Sequence, residues 1–284
     1  MKQWTVITPD ADFAGLKLED VPVPSVGDYD ALVRFHTTSL DYRTFPFAHR
    51  YPIVPNSDSA REVVDVGAKT HQYGDINPNA ASSGVGGVFD GALRQFGVFP
   101  EAGLVKVPSN LDHTAACTLP CAALTSWNAL YGLKPVKAGQ IVLVAQFAKA
   151  AGATIITTTS SAEKEKVLKD LDANHTEGVN HIIDVGGQNS LEQSLECIKM
   201  DGIINVVGFL GASVHPRPTL LDALSHICTV RGVYVGIRAM LKDMVRANEA
   251  TGLDPVVDQK IFEPVDAKHA FQYMTAQNTL ERLF

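Results

Sequence analysis

A run of hydroxyl side chains followed by a lysine carries the clearest chemical signal in this sequence of 284 residues. Residues 157–161 read TTTSS and close a β-branched run, and Lys164 follows one helical turn later. Hydroxyl and ammonium groups donate hydrogen bonds to phosphate oxygens. Ligands of open parallel sheets bind outside the carboxyl ends of the strands. The segment therefore predicts a phosphate site at the end of a strand.

The same position in a nucleotide-binding sheet distinguishes two cofactors. Sites that prefer NAD have an Asp or Glu at the end of the second strand, where it accepts a hydrogen bond from the ribose 2′-OH. Here the hydroxyl groups and Lys164 suit the 2′-phosphate of NADP instead. The residues leave one alternative open, in which Ser161 only caps a helix and Lys164 is a solvated surface charge.

Glycines end three further strand-like runs in the same half of the chain. The runs end in VGG at 185–187, GFLG at 208–211 and VGI at 235–237. A single glycine at such a place indicates little, because glycine commonly terminates strands. Three in register would let a flat ligand approach the main chain along one edge of a sheet, which favours a nucleotide site.

A strand–helix–strand segment at residues 139–161 positions these groups. Ile141–Val144 is an apolar strand, and Ala145–Ala151 favours a helix through its alanines. No glycine lies between Val144 and Gly152, so the phosphate-binding pattern G-x-G-x-x-G is absent, and only nine residues join the two strands. Losing two main-chain hydrogen bonds to a pyrophosphate, at roughly 1.5–3 kcal/mol each, would weaken binding by roughly a hundredfold to ten-thousandfold.

The wider pattern predicts an α/β fold. Strands and helices alternate from about 139 to 250, which is typical of a doubly wound parallel sheet. The amino-terminal part is β-rich, and a short buried strand is predicted at Glu62–Val66. A helix is expected to begin at Asn110 or Asp112 and to break or kink at Pro120.

Composition excludes several classes of partner. A net charge of −7 and a pI near 5.7 give no basic surface for nucleic acid or an anionic membrane. No run approaches the ~18 apolar residues of a membrane span, and the amino terminus has no apolar core of a secretory signal. We therefore expect a cytoplasmic protein with a small-molecule substrate, and no nucleic-acid or membrane partner.

The cysteines are scattered along the chain, and we interpret them as buried reduced thiols rather than zinc ligands or disulfides. Such thiols agree with a reducing compartment. The four positions are Cys117, Cys121, Cys197 and Cys228.

These stretches together resemble the zinc-independent branch of the medium-chain dehydrogenase/reductase family, with quinone-oxidoreductase-like and alcohol-dehydrogenase-like members. The resemblance implies a GroES-like β domain for the substrate at 1–110, a Rossmann domain for NADP at 111–250, and a tail at 251–284 that returns to the first domain. It also implies a homodimer formed partly by edge strands near Val230–Val235. The matching stretches are SLDYRTF, FDGALRQFGVFPEAGLVKVPSNL, AACTLPCAALTSWNALYGLKPVKAGQIVLV, QFAKAAGATIITTTSSAEK, HIIDVGG and VRGVYVGIRAM.

The resemblance assigns roles to individual residues. Tyr42 would flank the nicotinamide or substrate and is the candidate catalytic residue, and Thr125 would face the nicotinamide end. Ordinary packing remains the alternative for Tyr42, as a core position does for Phe209. The 2′-phosphate would be held by Ser160, Ser161 and Lys164, and the cofactor groove lined by Gly186, Gly208, Phe209 and Val235.

Metal chemistry is not expected. The zinc branches of the family carry a cysteine, a Gly-His-Glu motif and a lobe with four cysteines. This chain has Asp41 and 56–58 (Asn-Ser-Asp) at the matching places, and no cysteine cluster. We therefore expect NADP as the cofactor and no metal site.

The resemblance implies hydride transfer between NADPH and a small carbonyl, alcohol or enone, with a hydroxyl group or water supplying the proton. Two alternatives stay open: a catalytically impaired homologue that serves as a dimeric interaction module, and an incomplete gene product. Both follow from missing segments. Relatives have a glycine-rich turn after the strand at Ile141–Val144, a further strand after Gly74–Asp75, and a strand and a helix between Leu171 and Asn180.

Overall fold

The computed structural model describes residues 1–9, 13–40, 50–68, 85–143, 148, 150–156, 178–187, 190–208 and 218–276. The chain divides into two compact units. The first unit comprises Met1–Ala122 and Ile237–Glu281, and the second unit is formed mainly by Ala123–Gly236. Among the described residues, no helix is long and apolar enough to cross a membrane.

The described strands and helices are numbered here in chain order. The strands are β1 (Lys2–Val6), β2 (Leu16–Asp20), β3 (Asp30–Ser39), β4 (Asp58–Val66), β5 (Phe96–Pro100), β6 (Ile141–Leu143), β7 (Thr154–Ile156), β8 (Val179–Asp184), β9 (Ile198–Val206) and β10 (Thr229–Gly232). The helices are α1 (His113–Ala116), α2 (Leu124–Tyr131), α3 (Leu191–Cys197), α4 (Leu220–Ser225), α5 (Arg238–Thr251) and α6 (Ala267–Thr275).

Two small antiparallel sheets form the first unit. β1 pairs with β2, while β3 lies between β4 and β5 in a second sheet. The core between β1 and α6 includes Trp4, Leu16 and Ala267. The indole Nε1 of Trp4 donates a 2.7 Å hydrogen bond to the carbonyl of Pro264, which ties the first strand to the segment before α6.

The prediction of a short buried strand at Glu62–Val66 is wrong in length and in burial. β4 begins at Asp58, and its first three residues are the buried ones. Ala60 packs against Ala116 of α1, whereas Val63 is 50% exposed. Every second side chain of a strand faces the opposite side, so apolar residues at consecutive positions cannot all face one core.

The helix that was predicted near Asn110 begins as expected. The carboxylate of Asp112 accepts a 2.8 Å hydrogen bond from the N–H of Ala115 and caps α1. The predicted break at Pro120 is also confirmed, because a π-helical turn at Leu119–Ala123 separates α1 from α2. Proline lacks the N–H that a continuous helix would use there.

A five-stranded parallel sheet forms the second unit and confirms the predicted α/β architecture. The strand order is β10-β9-β8-β6-β7, and every neighbouring pair is parallel. One face carries an apolar cluster that includes Ile182 and Ile204 together with Leu195 of α3. The connection from α3 to β9 is immediate, since Cys197 ends the helix and Ile198 begins the strand.

The cysteines are only partly as predicted. All four lie within the described residues and none forms a disulfide, but Cys117 alone is buried, and Cys197 is exposed. Cys197 occupies the last position of α3, where the side chain faces away from the apolar cluster formed by Leu195.

Candidate functional site

The strand order places a topological switch point between β6 and β8. β6 pairs with β7 on one side and with β8 on the other, and β9 and β10 continue outward from β8. In open α/β sheets, ligands bind outside the carboxyl ends of the strands at such a point. The candidate site therefore lies at the carboxyl edge of this sheet, where β8, β9 and β10 end.

A buried carboxylate organises the turn after β8. Asp184 is only 3% exposed and accepts a 2.9 Å hydrogen bond from the main-chain N–H of Gly187. It also accepts hydrogen bonds from the hydroxyl of Ser190 at 2.5 Å and from that of Ser194 at 2.7 Å. A Cβ on Gly186 would lie 2.4 Å from the Ser190 hydroxyl oxygen, so a larger residue there would displace the hydroxyl that donates to Asp184. Asp184 thus fixes the main chain at the switch point.

The end of β9 lies directly beside the end of β8. The N–H of Val207 donates a 2.8 Å hydrogen bond to the carbonyl of Asp184. A Cβ on Gly208 would lie 2.7 Å from the carbonyl oxygen of Val185, closer than real Cβ atoms come to an oxygen. The glycines that the sequence singled out, Gly186 and Gly208, are therefore brought together at one edge.

The end of β10 meets helix α2. Val235 has a φ of +49°, and its carbonyl accepts a 2.8 Å hydrogen bond from the side-chain amide of Asn128 in α2. A Cβ on Gly236 would lie 2.8 Å from Cγ of Leu124. Thr125, the next residue of α2, is half-buried. The segment that follows β10 and the amino-terminal part of helix α2 therefore form one wall beside the edge of the sheet.

The structure describes four of the predicted site residues, and the segments after β8 and β9 that carry Gly186 and Gly208 contact each other. Thr125 lies on α2, while Gly186, Gly208 and Val235 follow β8, β9 and β10. Their roles in binding a cofactor stay predictions. The other predicted residues lie outside the described part of the chain; they are Tyr42, Ser160, Ser161, Lys164 and Phe209.

Two residues at this edge were missed by the sequence reasoning. Asp184 stands directly before the VGG turn, and hydroxyl groups follow it six and ten positions later. Asn128 is a polar residue inside the apolar helical run AALTSWNALY, yet it is only 8% exposed. A buried polar side chain needs hydrogen-bond partners, so an amide within an apolar helix is a detectable signal for such a contact.

One buried histidine lies in the same sheet but away from the carboxyl edge. His181 is 1% exposed and occupies the third position of β8. Burial lowers the pKa of His181, and the positive charge of Lys134 lowers it further. Its Nδ1 has no hydrogen-bond partner within the described part of the chain. Because it stands inside the sheet, His181 is not positioned to exchange protons with a ligand at the edge.

The side chains at the places that match the zinc motif bond to protein groups. The amide of Asn56 donates to the hydroxyl of Thr38 at 3.3 Å. The hydroxyl of Ser57 donates to Asp58 at 2.6 Å, and the second oxygen of Asp58 accepts from the N–H of Cys121 at 2.8 Å. Across the described ranges, no group of three His, Cys, Asp or Glu residues could hold a metal ion. Asp41 lies outside those ranges.

The chain is similar to known oxidoreductases. Residues 142–250 match a family described as zinc-binding dehydrogenase. A zinc-type alcohol dehydrogenase-like protein of Schizosaccharomyces pombe is 35% identical over 324 residues, with 93% of each chain covered. A chloroplast envelope quinone oxidoreductase homologue of Arabidopsis thaliana is 34% identical over 187 residues, covering 56% of this chain and 55% of the relative.

A solved structure extends the similarity to the whole fold. It is a protein of Sinorhizobium meliloti 1021, provisionally named alcohol dehydrogenase, with 30% identity and a TM-score of 0.85; 97% of this chain and 95% of the other are covered. The alignment with the Schizosaccharomyces pombe relative is 324 residues long, although it covers only 93% of the 284 residues of this chain. The relative therefore has internal residues that this chain lacks. With its GroES-like and Rossmann folds, the chain belongs to the medium-chain dehydrogenase/reductase family of oxidoreductases.

Proposed function

We propose that this oxidoreductase uses NADP and transfers hydride between NADPH and a small carbonyl, alcohol or enone. The observation that carries the proposal is the carboxyl edge of the parallel sheet, where Gly186 and Gly208 follow neighbouring strands and the main chain around Val235 follows β10. Gly186 and Gly208 have no side chain, so a flat ring system could approach the main chain at these two positions. NADP supplies the hydride chemistry when bound, while the protein binds and orients the reactants.

Two groups of residues in this chain would bind different parts of the cofactor. Gly186, Gly208 and Phe209 would line the groove, with Thr125 and Val235 at the nicotinamide end. The 2′-phosphate would be held by the cluster Ser160, Ser161 and Lys164. Tyr42 is the candidate group for holding or passing the substrate proton, since a phenolic hydroxyl can both donate and accept.

The proposed chemistry does not use zinc. Catalytic zinc sites take three protein ligands from His, Cys, Asp or Glu and keep one position open. At the matching places, Asn56 and Ser57 are not such ligands, and the carboxylate of Asp58 accepts hydrogen bonds from Ser57 and Cys121. The residues present do not fit a zinc ion, so we derive no step through one.

Cofactor titration tests the proposal. Intrinsic tryptophan fluorescence of the purified protein should be quenched by NADPH in a saturable manner, and more weakly by NADH at the same concentration. Lys164→Ala should weaken NADPH binding by roughly tenfold to a hundredfold and leave NADH binding unchanged, because it removes a charged hydrogen bond to the 2′-phosphate. Lys137→Ala, at an exposed lysine in the turn before β6, is the control. No response to millimolar NADPH or NADH would contradict the proposal.

A catalytically impaired homologue is the second candidate. The sequence lacks a glycine-rich turn between Val144 and Gly152, and the yeast relative has internal residues without counterpart here. Such a chain would serve as a dimeric module through β10, which is an edge strand of the described sheet. A stable homodimer whose melting temperature does not respond to either cofactor would favour this candidate. Comparison of the transcript with genomic DNA around the codons for Val144 and Leu171 tests the remaining alternative, an incomplete gene product.

The compartment and substrate class are proposed on similar grounds. Four free thiols support a reducing compartment, the cytoplasm. The acidic net charge of −7 supports a small-molecule substrate rather than nucleic acid or an anionic membrane.

A further inference from the structure

A valine with left-handed backbone conformation lies three residues after the end of β10. Val235 has a φ of +49°. For a β-branched residue this conformation is a strained outlier, and such strain persists only where the surroundings fix it. Backbone strain of this kind concentrates at ligand sites, so the groups that hold Val235 deserve a functional interpretation.

Asn128 and Arg231 are the groups that hold it. The side-chain amide of Asn128 donates to the carbonyl of Val235 at 2.8 Å. Arg231 donates to the side-chain oxygen of Asn128 at 2.8 Å and to its main-chain carbonyl at 3.0 Å. The second contact positions the helix backbone, and the first orients the amide with its nitrogen toward Val235. The result is a chain of hydrogen bonds that runs from the Arg231 side chain in β10 through Asn128 in α2 to the carbonyl of Val235.

The surroundings leave this arrangement little freedom. A Cβ on Gly132 would lie 2.1 Å from the side-chain oxygen of Asn128 and 3.0 Å from Nη2 of Arg231. Asn128 itself is 8% exposed. On the far side of Val235, Gly236 packs against Leu124 without room for a Cβ. Because Gly132 and Gly236 have no Cβ, α2 lies close enough to the segment after β10 for the Asn128 amide to reach the carbonyl of Val235.

We propose that Asn128, oriented by Arg231, is a positioning residue that holds Val235 in its left-handed conformation and so sets the shape of the groove wall at the nicotinamide end. The inference rests on the proposed function, because the wall acts on catalysis only if a nicotinamide binds against it. Asn128 acts through Val235, whose main chain forms the wall. A purely structural tie between α2 and β10 would stabilise the fold but would not distinguish the two ends of a dinucleotide.

The experiment compares the binding of ligands that contain the nicotinamide with that of ligands that lack it. Asn128→Asp keeps the oxygen that accepts from Arg231 and removes the N–H that donates to Val235. Asn248→Asp is the matched control, because Asn248 is fully buried and its amide donates a 2.8 Å hydrogen bond to the carbonyl of Leu253 in the first unit. Dissociation constants are measured for NADPH and NADH, and for 2′-phospho-ADP-ribose and ADP-ribose, which lack the nicotinamide.

We expect Asn128→Asp to weaken NADPH and NADH binding by about tenfold, as for the loss of one hydrogen bond that orders the wall. Binding of the two nicotinamide-free probes should be unchanged, and Asn248→Asp should leave all four constants unchanged. Equal weakening for all four ligands, or no weakening for any, would overturn the inference. A wild-type protein that binds none of the four refutes the proposed function itself, and the inference fails with it in a recognisably different pattern.

A second variant tests the role of strain. Glycine adopts positive φ without cost, so Val235→Gly should keep the wall in place without the amide. Asn128→Asp combined with Val235→Gly should bind NADPH as tightly as Val235→Gly alone. A repeated tenfold loss in the double variant would contradict the inference. If Asn128→Asp does not fold, Arg231→Lys, which removes the two-point contact but keeps the charge, should give the same selective loss for the nicotinamide-containing ligands.

Discussion

The hydroxyl of Ser194 donates a 2.7 Å hydrogen bond to the carboxylate of Asp184, which joins helix α3 to the carboxyl end of β8 across ten positions of sequence. Ser190 and the N–H of Gly187 complete the set of donors to the same carboxylate. A buried carboxylate is tolerated only where donors satisfy it, and here the donors also shape the turn at the switch point. The stability of the second unit and the geometry of its candidate site therefore depend on the same residue.

Asp184→Asn should lower the free energy of unfolding by roughly 1–3 kcal/mol, because an amide nitrogen would face hydroxyl groups that now donate to an oxygen. Chemical denaturation followed by tryptophan fluorescence measures the change. Asp201→Asn is the control, since Asp201 is exposed in the same unit and pairs with Lys134 at the surface, and a change within about 0.5 kcal/mol is expected. Equal losses in both variants would contradict the role given to the buried carboxylate.

Gly208→Ala should be destabilising and should also reduce cofactor affinity. The added Cβ would lie 2.7 Å from the main-chain carbonyl of Val185, which cannot move without disturbing β8, and overpacking of this kind costs roughly 1–3 kcal/mol. Gly232→Ala is the matched control in β10, because nothing lies within 4 Å of a Cβ there and its φ is not positive. Thermal melting of both variants decides the matter, and a melting temperature of Gly208→Ala equal to that of the wild type would refute the prediction.

The stability of the protein should fall as pH falls below the ordinary pKa of histidine, about 6.5. Burial lowers the pKa of His181 in the folded protein, so the unfolded chain binds the proton more readily. The free energy of unfolding then decreases as pH drops from about 6.5 toward the lowered pKa of His181. The contribution of the neutral His181 is fully present above about pH 6.5. His181→Gln should reduce the difference in stability between pH 7.5 and pH 5.5, each chosen as about one pH unit from that value.

Substitution of a solvated histidine provides the comparison for this pH effect. His269 lies on α6 with its side chain 74% exposed, so His269→Gln should keep the acid sensitivity of the wild type. Urea denaturation at the two pH values gives the free energies for all three proteins. A His181→Gln protein as acid-sensitive as the wild type would show that other groups cause the effect.

The proposed homodimer can be tested at two exposed apolar side chains of α4, the helix that precedes β10 in the chain. Leu221 and Leu224 of α4 are each 72% exposed, and α4 ends shortly before the edge strand. Leu221→Lys with Leu224→Lys should convert a dimer to a monomer, since unpaired charges would have to be buried in the contact. Light scattering after gel filtration measures the mass. Leu133→Lys, at a residue 59% exposed elsewhere in the same unit, should leave the mass unchanged.

The alternation of apolar patterns and the residues typical of helix ends made much of the fold predictable from the sequence. The alternation of strands and helices after residue 139 indicated the parallel sheet, and Asp112 and Pro120 indicated where α1 begins and where the helical region breaks. These features depend on local chemistry: a carboxylate that satisfies free N–H groups, and a ring that has none. Glycines at strand ends pointed to the carboxyl edge for the same reason, because close approach of two backbones excludes a Cβ.

The remaining features depend on contacts between distant parts of the chain. Asn128 meets Val235 across 107 positions, and no local pattern shows that an amide in an apolar helix will reach a strained valine. Val63 belongs to an apolar run that predicts a buried strand. It lies in the exposed half of β4, because only the first residues of that strand pack against α1. Burial of an edge strand is decided by its neighbours, which sequence pattern alone does not identify.

The hydrogen bond from Trp4 to Pro264 has a consequence for the order in which the protein can fold during synthesis. The first unit is discontinuous, and the core around Trp4 includes Ala267 and Phe271 from near the other end of the chain. The ribosome releases residues from the amino terminus onward, so this core cannot close until residues 264–271 have emerged. The main segment of the second unit, Ala123–Gly236, is continuous and can close earlier. The amino-terminal strands therefore wait, with apolar surface uncovered, for a partner that is made after the main segment of the second unit.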